Sequence, residues 1–148
     1  DISDHSLVVA KELGVDVTLN AVKDDVENAV KEHTNGHGVD CAAIAVGNEK
    51  VLNQGLKLVK RAGKVVEVAL FNGQPSINIG AVQVGELNLR GCNMYTREDF
   101  ERVLAAIQNN TIDPTPLVSH VMPIEQVLDG IEMVDKKLDN AVKVLLHF

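Results

Sequence analysis

A chain of 148 residues is long enough for one ordinary domain, and 45% hydrophobic against 24% charged residues is the balance of a globular protein. A formal net charge of -7 with scattered basic residues argues against a nucleic-acid or anionic-membrane surface. No apolar run approaches the roughly 20 residues that cross a bilayer.

The opening DISDHS lacks the basic and apolar character of a leader and starts at Asp, so a fragment or a processed chain in a cytoplasmic setting is expected. Asp4 is the predicted cap of a helix through HSLVVAKEL, ended by Gly14 in a left-handed conformation. VDVTL (residues 15–19) reads as a short strand. Asp24 with Glu27 forms a capping-box pattern ahead of a second helix, and NGHG (35–38) is a turn. VDCAAIAV (39–46) is almost uniformly apolar, which suits a strand covered on both faces of a parallel sheet. A helix over EKVLNQGLKLV follows, and RAG (61–63) breaks it.

KVVEVALF (64–71) is a second buried strand, ended by the Asn72-Gly73 turn and an irregular stretch. ELNLRGC (86–92) is a third strand. Thr96 with Asp99 caps a helix through FERVLAAIQ. The Pro-containing connection TIDPTPLVSHVMP leads to a helix IEQVLDGIEMV and a terminal strand VKVLLHF (142–148). Alternating strands and helices predict an α/β fold, a βαβ parallel sheet covered by helices, organised as one domain over 1–148.

Ligands of open parallel sheets bind at the carboxyl ends of the strands. Those positions here are residues 45–47, 68–70 and 91–93, read as small or apolar, which suits a planar aromatic or nucleotide ligand held by backbone groups and van der Waals contact. No Ser/His/Asp arrangement, paired carboxylates or HExxH is readable, so the chain reads as a binding platform without a catalytic centre of its own. Cys41 and Cys92, without CxxC spacing, are expected to be buried free thiols. Of the five histidines, His5, His33 and His37 fall in helix or turn contexts, His120 in a connecting loop and His147 on the last strand. None has a second ligand at metal spacing. The acidic pairs Asp24-Asp25 and Glu98-Asp99 fall in first helical turns, where they complement the helix dipole.

DISDHSLVVAKELGVD, GHGVDCAAIAVG, LKLVKRAGKVVEVALF, ELNLRGCNMYTREDF, IDPTPLVSHVMPIEQV and KVLLHF, in this order and spacing, resemble the carboxyl-terminal part of the medium-chain dehydrogenase/reductase superfamily. NMYTREDFERVL and SHVMPIEQ are most similar to its zinc-dependent sorbitol, butanediol and threonine dehydrogenases. The resemblance implies a Rossmann-like doubly wound parallel sheet, here without its first two strands and glycine-rich loop. It implies NAD as cofactor, zinc in the parent enzyme with ligands outside this chain, and oxidation of a secondary alcohol or polyol.

By position, the resemblance gives Asp1 to the adenosine ribose diol and Ile2 to the adenine. Ala45, Val46 and Gly47 would line the adenosine side of the cleft. The backbone of Val68, Ala69 and Leu70 would meet the nicotinamide amide, aided by the backbone at Cys92, and Lys143 would reach the pyrophosphate. A carboxylate at Asp1 accepts two hydroxyls and repels a ribose phosphate, and Ser6 stands where many relatives are basic, so both favour NAD over NADP. The resemblance also makes Glu86–Cys92 an edge strand that pairs with a two-fold mate in a homo-oligomer, dimer or tetramer. Two competing readings are a zinc-free quinone- or enoyl-reductase-type domain using NADPH and a non-catalytic dimerisation module. Asp1 and YTREDF speak against the first.

Overall fold

The computed structural model describes all residues, Asp1–Phe148, and they cluster into two units, Asp25–Tyr95 and Asp1–Asp24 with Thr96–Phe148. The fold is α/β with parallel strands in open sheets, one sheet of three strands and one of two.

The Asp25–Tyr95 unit opens on α2 (Val26–His33), which follows α1 of the other unit. Its cap is Asp25, accepting from the Asn28 N–H, one residue beyond the predicted Asp24. Asp24 instead accepts from the Asn20 N–H. Strand β1 (Val39–Ile44) leads through α3 (Glu49–Leu58) into β2 (Val59–Glu67), and α4 (Ile79–Gly85) carries the chain to β3 (Asn88–Gly91). The order is β1-β2-β3, each pair parallel.

Several expectations change here. β1 stops at Ile44 rather than Val46, and Cys41, Ala43, Ala45 and Val46 are exposed, so it is covered on one face only. RAG does not separate helix from strand: β2 begins at Val59 and passes through it. Ala62 sits there at φ 58 and the register jumps from Val59 to Lys64 opposite β1. β2 ends at Glu67, leaving Val68–Phe71 as a loop, and α4 lies in the stretch read as irregular. Both cysteines are free, as expected, but exposed, because neither Cys41 nor Cys92 lies on the face that α3 covers. The core is Ile44, Leu52, Leu56, Val59 and Val65, with Val65 fully buried. At about 1.5–3 kcal/mol per buried aliphatic side chain, this cluster is the main cohesion of the unit.

In the other unit α1 (Asp4–Glu12) is capped by Ser3, which accepts from the Ser6 N–H, so the predicted cap Asp4 is the first helical residue. Gly14 follows at φ 89, the left-handed stop expected. VDVTL forms no strand, since no strand of the chain lies beside it to supply a ladder. The Thr96 capping box with Asp99 opens α5 (Arg97–Gln108) as predicted. The Pro-containing connection contains a 3-10 turn (Thr115–Leu117) and then β4 (Val118–Pro123), which pairs in parallel with β5 (Lys143–His147). His120 therefore lies on a strand and not in a loop. Between these strands runs α6 (Val127–Asp135), where a Cβ added at buried Gly130 would meet Val144, Met122 and Leu146 at ordinary contact distance.

Candidate functional site

Parallel pairing brings the carboxyl ends of β1 and β2 to the same edge, with Ile44 opposite Glu67. The loop after β1 touches the loop after β2 at one point. A Cβ on Gly47 would lie 2.0 Å from the Leu70 carbonyl oxygen, so only glycine permits this approach. Beside it lies an open cleft of about 350 Å³, with Gly47, Asn48, Phe71 and Pro75 among its walls. Asn48 caps α3 through the Lys50 N–H. The far wall is fastened to α3: Glu49 accepts from the Ser76 N–H, and Asn53 accepts from the Asn78 N–H and donates to the Ser76 carbonyl.

The loop Val68–Leu70 is pinned from beneath. The Ile44 carbonyl accepts from the N–H groups of both Val68 (2.9 Å) and Ala69 (3.1 Å). The Ala69 N–H is shared with Glu67 Oε1 at 2.9 Å. The Cys92 N–H donates to the Glu67 carbonyl at 2.8 Å. The donors of Val68, Ala69 and Cys92 are thus committed within the protein, while the Leu70 N–H and the Val68 carbonyl enter no hydrogen bond. Leu70 is 85% exposed, and Val46 and Val68 are exposed as well. One free donor beside one free acceptor, flanked by exposed apolar side chains, can take a flat ligand that offers one acceptor and one donor. Ala45, Val46, Gly47, Val68, Ala69, Leu70 and Cys92 therefore share one edge of the three-stranded sheet.

Asp1, Ile2 and Lys143 belong to the other unit. Asp1 Oδ1 accepts from the Ser3 N–H at 2.7 Å, and its backbone is paired with residues 19–21: the amino group donates to the Leu19 carbonyl and the Asp1 carbonyl accepts from Ala21. Asn20, only 5% exposed, closes this bend. Its side-chain amide donates to Asp4 Oδ1 and the Ile2 carbonyl, and its Oδ1 accepts from the Val22 N–H. The hydrogen bond from Lys23, then that from Asn20, holds the Asp4 carboxyl below its ordinary value of 3.8. Lys143 opens β5 with its side chain exposed and its backbone N–H and carbonyl engaged by Ser119 Oγ.

Ser119 and His120 on β4 and Asp139 form a contact series that sequence reading missed. His120 Nδ1 lies 3.0 Å from Ser119 Oγ, and Nε2 lies 3.2 Å from Asp139 Oδ2. It is not a nucleophilic triad. The Ser119 hydroxyl donates to the Lys143 carbonyl and accepts from the Val142 and Lys143 N–H groups, so its proton and both lone pairs serve the backbone. Asn20 had no signal in TLNAVKD. Glu67 had one, a lone charge inside the apolar run KVVEVALF. No group of three His, Cys, Asp or Glu side chains is arranged to hold a metal ion, so a resident zinc does not fit this chain's residues. No helix is long and apolar enough to cross a membrane.

Comparison with known proteins identifies the family. A family model described as zinc-binding dehydrogenase matches residues 1–109. An alcohol dehydrogenase of Geobacillus stearothermophilus is 30% identical over 132 residues, 89% of this chain and 38% of that protein. A (R,R)-butanediol dehydrogenase of Neisseria gonorrhoeae is 28% identical over 140 residues, 93% of this chain and 39% of that protein. The crystal structure of the alcohol dehydrogenase TADH from Thermus sp. ATN1 superposes with a TM-score of 0.89 at 29% identity, covering 99% of this chain and 42% of that one. The chain thus spans about two fifths of the length of the relatives it matches. With the family model covering most of its length and the fold of its strands and crossovers in common with such enzymes, the chain belongs to the zinc-binding dehydrogenase family.

Proposed function

We propose that this chain is the cofactor-binding portion, over 1–148, of a cytoplasmic, NAD-dependent, zinc-containing oxidoreductase that transfers hydride between a secondary alcohol or polyol and NAD. The observation that carries the reading is the pinned loop after β2, which leaves the Leu70 N–H and the Val68 carbonyl free beside the Gly47 contact. When bound, NAD supplies the hydride acceptor. The protein's part is to hold and orient it.

The Leu70 N–H donates to the carboxamide oxygen of the nicotinamide, and the Val68 carbonyl accepts from its amide nitrogen. The exposed side chains of Val46, Val68 and Leu70 exclude water from the ring. In the other unit Asp1 Oδ2, unlike Oδ1, is not engaged by Ser3 and could accept from a ribose diol; the roles of Ile2 toward the adenine and Lys143 toward the pyrophosphate are those the resemblance implies. Zinc ligands would come from the remainder of the parent protein, and no step here passes through the metal. The β3 strand, an exposed edge, is the place where a second copy would extend the sheet in a homo-oligomer.

The test is NADH and NADPH titration of the full-length parent and of the isolated 148-residue chain, followed by nicotinamide fluorescence. The parent is expected to bind NADH in preference to NADPH and to oxidise a secondary alcohol. The isolated chain is expected to bind weakly and turn over nothing. A parent that binds neither dinucleotide overturns the proposal, and alcohol turnover by the isolated chain overturns the assignment of catalysis elsewhere.

A further inference from the structure

The last residue of β2 is a carboxylate in an apolar setting. Register is continuous from Val65 to Glu67, so the two side chains, two residues apart, face the same side of the strand. That side is the one on which Val65 is wholly buried with Leu52 and Leu56 of α3. Glu67 Oε2 is shut off from solvent and has no hydrogen-bond partner. Oε1 has one, the Ala69 N–H at 2.9 Å.

A buried carboxylate oxygen left without a donor costs free energy, and such groups persist where another role requires them. The same residue's backbone carbonyl takes the Cys92 N–H, so Glu67 reaches both the loop after its own strand and the end of β3. Ile44, directly across the ladder, accepts the remaining share of the Ala69 donor. The Ala69 N–H is thereby drawn inward between two acceptors. Its neighbour Leu70 keeps an N–H without a hydrogen-bond partner, while the Leu70 carbonyl is the group that lies against Gly47.

The geometry points to Glu67 as the positioning residue of the Val68–Leu70 loop: the length of its side chain, and not its charge, turns the Ala69 N–H inward and presents the Leu70 N–H and the Val68 carbonyl to the cofactor amide. This rests on the cofactor reading above. Glu67 touches no reacting atom. It acts on cofactor affinity through backbone orientation, so its removal raises the KM for NAD and leaves kcat at saturating NAD nearly unchanged.

Two substitutions in the full-length parent separate reach from charge. Glu67→Gln keeps the reach and an acceptor oxygen and removes the charge. Glu67→Asp keeps the charge and is one methylene too short for the Ala69 N–H. The expected pattern is a Gln variant with wild-type NADH affinity and an Asp variant weakened about five- to tenfold in Kd and KM, as loss of one positioned hydrogen bond gives. Amide exchange at Ala69 is expected to stay slow in wild type and Gln and to quicken in Asp. Glu67→Met, of similar length without an acceptor, makes the same comparison where the Asp variant folds poorly. An Asp or Met variant that binds NADH like wild type, or a Gln variant as weak as Asp, overturns the assignment. Wild-type protein that binds no dinucleotide overturns the cofactor reading itself, a distinguishable result.

Discussion

The two units hold themselves together by different means. In Asp25–Tyr95 the interior is an apolar cluster of α3 against β1 and β2, and its polar contacts sit at the rim, where they fasten α3 to the segment after Phe71. In Asp1–Asp24 with Thr96–Phe148 the only buried hydrophobic side chain is Val9, and the chain is gathered by hydrogen-bonded nodes at Asn20, Ser119 and the Thr96 capping box. Apolar burial is non-directional and tolerates small displacements, whereas a hydrogen-bonded node fixes one geometry and fails when one partner is lost. The first unit is therefore built to resist substitution at its rim, the second to resist substitution away from its nodes.

This contrast predicts a ranking of effects. The largest belongs to the apolar core: Leu56→Ala is expected to cost about 2–5 kcal/mol in chemical denaturation, and a smaller loss than Ser119→Ala would break the comparison. Gly47→Ala comes next. Its new methyl would meet the Leu70 carbonyl at 2.0 Å, and the loops must part at a cost of about 1–3 kcal/mol. Because that shift moves the free Leu70 N–H, NADH affinity is expected to fall with stability, and titration of the folded variant checks it.

Ser119→Ala is expected to cost about 1 kcal/mol, since water replaces some of what its hydroxyl gives the exposed backbone at Val142 and Lys143. Amide exchange is expected to quicken in β5 and to leave β1 and β2 unchanged. The smallest effect is on pH dependence. Asp4, Asp99 and Asp113, all in the second unit, have carboxyls held below the ordinary value by hydrogen bonds from Lys23, Thr96 and Thr115 respectively. A lowered carboxylate value means stability that is present above 3.8 and lost as pH falls through the folded-state value. Asp40 of the first unit is held down likewise by the hydrogen bond from Lys60, so both units are expected to lose stability on acidification. Asp4→Asn is expected to flatten the second unit's share slightly, as NMR intensities of its residues would report.

What the sequence disclosed follows the same division. Where structure is local, the pattern came within a residue or two: the Thr96–Asp99 box, the Gly14 stop and the helix that is α3 were readable, and the caps of α1 and α2 were each missed by one position. Where a segment depends on a distant partner, it did not. VDVTL has strand composition and no strand beside it, while VSHVMP looked like a loop and pairs with a strand some twenty residues on. At the site, the small residues after β1 and β2 were identified, but which backbone donors remain free was not. That depends on the Ile44 carbonyl and Glu67 Oε1 taking two of them.

The discontinuity of the second unit has a kinetic consequence. Each strand pair, β1 with β2, β2 with β3 and β4 with β5, joins sequence neighbours across one short crossover, so these pairings close small loops and form early. By contrast α1 meets the 3-10 turn Thr115–Leu117 only after the whole of Asp25–Tyr95 has been looped out between them. The segment that carries Asp1 closes locally on residues 19–21, so only its further contact, through α1 with the Thr115–Leu117 turn, is expected to form late.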